Sequence, residues 1–126
     1  MSTDLAVYVA ETSLVDTHEH LGKEPDWVDE GPDILQDLFG NYVPADLKTA
    51  GASPDALKNL MDAQNNDFKG RFEGIQSAWE ATQFTGYGEA VRLVASECYG
   101  IDELTGERLQ DAQEKLGDLR KPGQRY

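Results

Sequence analysis

The chain contains two histidines, His18 and His20, standing two positions apart. Two residues placed at random among 126 positions fall two apart in roughly 1.6% of arrangements, which is reason to read the tripeptide as a unit. On extended backbone alternate side chains share a face, so Asp16, His18 and His20 would project one way and Thr17 and Glu19 the other. Two neutral imidazoles on one face can grip one divalent ion. A catalytic centre needs about three protein ligands and an open position for water, so at least one ligand must come from elsewhere. Asp16 is the nearest third donor, although a residue two positions deeper more often orients a backbone or a ligand than binds metal. The plain alternative is two surface histidines with no ion, since H-x-H by itself carries no further constraint.

For the pair to share a face it needs a strand, and Leu14-Val15 leading into Thr17 is the one stretch whose residue types favour extended backbone. Helical period dominates elsewhere. Thr3 can cap a short helix carrying Leu5, Tyr8 and Val9. Residues 22–33, with Gly22, Pro25, Gly31 and Pro32 among five acidic residues, read as an exposed acidic loop. Short helices follow over 33–39 and 44–50, stopped by Gly40 and Gly51, and a third starts at Ser53-Pro54. The longest helix is predicted from Asp67, with Phe68, Phe72, Ile75 and Trp79 on one stripe. Val91, Val94, Ala95 and Cys98 define the next stripe, closed by a Schellman cap at Gly100. Thr105 caps a last helix carrying Leu109, Ala112 and Leu116, ended by Gly117 or Pro122. The expected fold is mainly α with one short β-strand. A lone strand cannot satisfy its own backbone groups, which implies a sheet supplied by other residues.

The string Leu14-Val15-Asp16-Thr17-His18-Glu19-His20-Leu21 resembles the opening strand of the amidohydrolase superfamily, whose H-x-H holds the catalytic metal. Residues 37–40, 42–51, Trp79, and 85–102 are similar to the helical region that follows this strand in the amidohydrolase-2 group and its uronate isomerase-like relatives. The resemblance implies a (β/α)8 TIM barrel, of which this chain would supply the N-terminal strand and a helical insertion. It divides the chain into a first helix and metal-ligand strand (1–21), an acidic loop (22–33), a helical insertion (34–117) and a tail (118–126). Such barrels run to ~250 residues or more, so the chain would be one partial domain, either an N-terminal fragment, which is the expectation, or a degenerate stand-alone descendant. The resemblance carries ligand roles onto His18 and His20 alone, with zinc as the fitting ion, and the general base lies elsewhere. It implies a metal-dependent hydrolase acting on a small-molecule carbonyl substrate, or an aldose-ketose isomerase of the uronate type.

Eleven Lys and Arg against 24 Asp and Glu leave a net charge of −13, which repels phosphate backbones and anionic lipid headgroups. Nucleic acid and membrane surfaces are therefore poor partners. A start without signal-peptide character and a single cysteine, Cys98, suit a reducing, cytoplasmic setting. Cys98 could be a nucleophile, but on an apolar stripe it reads as core packing. Gly86 and Gly88 lack the third glycine and preceding strand of a nucleotide loop and read as helix punctuation. Phe68, Phe72 and Trp79 read as core rather than as a pocket; Arg92 and Tyr87 could reach a carboxylate, or line a solvated face. The run Glu24, Asp26, Asp29, Glu30, Asp33 lacks calcium-loop spacing. Apolar surface left bare by an absent barrel would favour homo-oligomers. The competing class is a non-enzymatic acidic helical module that binds a protein partner.

Overall fold

The computed structural model of the chain describes residues 3–124 except Glu19 and Leu21. Among these it contains nine helices: α1 (Asp4–Glu11), α2 (Glu24–Glu30), α3 (Ile34–Phe39), α4 (Val43–Thr49), α5 (Pro54–Leu60), α6 (Phe68–Glu73), α7 (Gln76–Thr82), α8 (Gly86–Tyr99) and α9 (Gly106–Leu119). Local chemistry starts most of them. Thr3, Asp33, Ser53, Asp67, Thr85 and Thr105 each accept a backbone N–H two or three residues into the following helix. Asp33 and Gln36 form a reciprocal capping box. Pro25, Pro44 and Pro54 occupy first turns, where no intrahelical N–H is lost.

The core is gathered mainly by α3, whose Ile34, Leu35, Leu38 and Phe39 are all buried. Phe39 meets Phe72 of α6 and Trp79 of α7 with ring centroids 6.2 and 5.6 Å apart. Val43 and Leu47 of α4, Val91 of α8, and Leu109 and Leu116 of α9 close the remaining sides. The most extensive helix pair is α6 against α9. At its edge Lys69 reaches Glu107 at 2.7 Å. Arg71, fully buried on α6, donates to Asp33 at 2.8 Å and to the carbonyls of Leu60 and Asn65.

Several sequence expectations are corrected. No strand occurs among the described residues, so neither the short β-strand nor a (β/α)8 barrel strand is present; residues 13–18 are neither helical nor paired. Leu14 and Val15 suit a strand locally, but no second segment offers a ladder, and both side chains are almost wholly exposed. Glu19, assigned to the opposite face, lies outside the described residues, as do Leu21 and the end of the expected tail, Arg125 and Tyr126. The acidic loop at 22–33 contains a helix, α2, because Pro25 initiates rather than breaks it and Trp27 is buried, its indole N–H reaching the Leu119 carbonyl at 3.4 Å. Within the stretch assigned to the tail, α9 runs to Leu119, and Arg120 donates to the carbonyls of Gly31 and Pro32.

The helix expected from Asp67 through Trp79 breaks at Gly74-Ile75 into α6 and α7, although Phe68, Phe72, Ile75 and Trp79 are all buried. Gly100 does adopt the left-handed region, at φ 67°, but its bonds are wider than a Schellman pair, running from Gly100 to Ser96 and from Ile101 to Ala95. The Schellman pattern stands instead at Gly51, where Ala52 bonds to Leu47 and Gly51 to Lys48.

Two measurements check this packing. A Cβ on Gly88 would lie 2.2 Å from the Thr82 carbonyl oxygen and 2.7 Å from the Gln83 carbonyl carbon, whereas nothing stands within 4 Å of one on Gly86. Urea unfolding should therefore show Gly88→Ala destabilised by ~1–3 kcal/mol and Gly86→Ala stabilised by ~0.4–1 kcal/mol; equal shifts would refute the close approach. The hydrogen bond that Lys69 donates to Glu107 holds the Glu107 carboxyl below its ordinary value of 4.5 and Lys69 above its ordinary 10.5. Their contribution is thus present between those values, lost as pH falls through the lowered Glu107 value or rises through the raised Lys69 value. Glu107→Gln should lower the urea midpoint slightly at neutral pH, with the difference vanishing in acid.

Candidate functional site

His18 and His20 lie on the exposed segment between α1 and α2. Their Nε2 atoms face one another at 2.8 Å, and the rings meet edge to face with centroids 4.8 Å apart. One ring must therefore donate and the other accept, so the two imidazoles carry opposite tautomers or share one proton. Asp16 turns the backbone into this arrangement: its Oδ1 accepts the His18 backbone N–H at 3.0 Å, a side-chain turn typical of aspartate. Asp16 thus orients the segment and forms no three-ligand group with the two imidazoles.

A zinc ion bound to both Nε2 atoms at ~2.0–2.1 Å in tetrahedral geometry would hold them about 3.3 Å apart. The pair needs to open by only about half an ångström to reach that bite. As a donor set the two imidazoles fit one borderline-soft divalent ion. They do not make a catalytic centre, for among the described residues no group of three His, Cys, Asp or Glu side chains is placed to hold a metal. Beside His20 opens a cleft of about 360 Å³ bounded by Gly40, Asn41 and Tyr42. The Tyr42 ring packs against Tyr87 at 5.4 Å.

No family model, curated protein or solved structure matches this chain. The amidohydrolase likeness therefore rests on its own residues.

The remaining candidates are dispersed. Phe68, Phe72 and Trp79 are buried in the core. Arg92 pairs with Glu89 at 2.7 Å and covers the Phe84 ring at 4.8 Å. Of the acidic run, Asp33 holds Arg71, while Glu24, Asp26, Asp29 and Glu30 are distributed along α2. Cys98 is exposed, as is Val94, because the body buries the neighbouring seam of α8, formed by Gly88, Val91, Ala95 and Tyr99. No helix among the described residues is long and apolar enough to cross a membrane.

Sequence reasoning missed Arg71 and the Asp37–Tyr99 pair, in which the Tyr99 hydroxyl donates to Asp37 Oδ2 at 2.6 Å. That pair borders a cleft of about 240 Å³ with Trp27, Cys98 and Leu119. A signal for Arg71 was available: it stands three residues after Phe68 and four before Ile75, inside the apolar stripe.

Proposed function

We propose that this chain contributes His18 and His20 as ligands to the metal centre of an amidohydrolase-like, metal-dependent hydrolase. The observation that carries the reading is the convergence of the two Nε2 atoms to 2.8 Å on a segment that no body helix covers. Zinc held there would supply a water activated near neutral pH and a Lewis acid for a carbonyl-type substrate. The chain's own residues do less. His18 and His20 hold the ion, Asp16 fixes the backbone that presents them, and the cleft at Asn41 and Tyr42 gives a small substrate room beside His20. Further ligands and the general base are not among the residues gathered here, so the chain by itself turns over no substrate.

A second reading, an acidic module that binds a protein partner, draws on α1, none of whose residues is buried although Leu5, Tyr8 and Val9 form an apolar stripe. Titration calorimetry with zinc separates the two. Weak binding that disappears in His18→Ala and in His20→Ala supports the metal-ligand reading; heats identical in the parent chain and both variants would refute it.

A further inference from the structure

The histidine pair is half of a donor set. Both imidazoles are exposed, their Nε2 atoms are 2.8 Å apart, and among the described residues no third metal-binding side chain joins them. Residues 3–18 and His20 include no buried side chain, so the pair stays open to solvent although His20 borders the cleft at Gly40, Asn41 and Tyr42, and Leu14 and Val15 just before the pair are 94% and 85% exposed. Zinc at a structural site takes four ligands in a tetrahedron. In solution the nearest identical source of two more imidazoles is another copy of the same segment.

We propose that a second copy of this chain completes the shell, one zinc ion being held by His18, His20, the partner subunit's His18 and the partner subunit's His20 about a two-fold axis. The proposal rests on the assignment of His18 and His20 as metal ligands and adds a form of regulation to it. Four imidazoles leave no position for water, so the bridged dimer is a closed, non-hydrolytic state of the centre. The bridge also brings two Leu14-Val15 segments together and removes apolar surface from water. Charge opposes it: each chain carries −13, the imidazoles are neutral, and one divalent ion cancels little of this. Salt screens such repulsion over ~10 Å at 0.1 M, so association should strengthen as salt rises.

Sedimentation velocity on the full chain, stripped with chelator and then titrated with zinc chloride, tests this. The expected result is a monomer without zinc and a dimer with it, saturating at one ion per two chains, tighter at higher salt. In His18→Ala and His20→Ala the dimer should be lost while circular dichroism and thermal midpoint stay at parent values, since both side chains are exposed. One ion per chain without association would overturn the bridge and leave the ligand assignment standing. A zinc-dependent dimer that survives both substitutions would also overturn it, and failure to bind zinc at all would overturn both.

Discussion

A buried ion pair between Arg71 and Asp33 ties the helical body together. The Arg71 side chain is wholly buried, and its guanidinium donates to both Asp33 oxygens, at 2.8 and 3.3 Å, and to the carbonyls of Asn59, Leu60 and Asn65. Asp33 simultaneously caps α3. One side chain therefore joins the start of α3, the end of α5, the irregular connection after it, and α6. Burying a guanidinium is costly unless its donors are met, and here each nitrogen has a partner. Carbonyls at the end of α5, which cannot bond within their own helix, find a donor in the same group.

The body so closed has a consequence for function. Its apolar interior runs from Trp27 to Leu116, and the histidine pair lies outside it. Residues 3–18 depend on the body for nothing that burial would provide. The arrangement separates a packed helical support from an exposed arm whose geometry is set locally, by the Asp16 turn and by the imidazoles themselves. A metal ion, a second chain or a larger assembly can engage such an arm without repacking the core.

What was legible in the sequence was what is decided locally. The caps at Thr3, Ser53 and Thr105 and the stops at Gly40 and Gly51 involve neighbours a few residues apart, and each stands where it is expected. The stripe through Phe68, Phe72, Ile75 and Trp79 is buried, yet the break at Gly74-Ile75 is invisible to a pattern that continues across it. The misreadings come from partners distant in the chain. Trp27 makes α2 a packed helix through Leu119, 92 residues away, and Arg71 finds Asp33 across 38. On α8 two adjacent apolar seams compete, and only the approach of helices distant in the chain, α3, α4 and α9, decides that Ala95 is covered and Cys98 is not. The strand at Leu14-Val15 failed because extended backbone needs a ladder, which no local pattern supplies. Of the site, the identity and spacing of His18 and His20 were legible, and so was the need for further ligands from elsewhere; among the described residues no third donor joins the pair.

A double-mutant cycle on Arg71 and Asp33 tests the central claim most directly. Arg71→Met keeps the stem, and Asp33→Asn keeps an oxygen able to cap α3, so the cycle isolates the charge pairing. The account predicts a coupling toward the upper end of the ~0.5–3 kcal/mol found for contacting residues, with the double variant far less destabilised than the two single losses combined. Losses that add within ~0.3–0.5 kcal/mol, as for residues that do not touch, would contradict it.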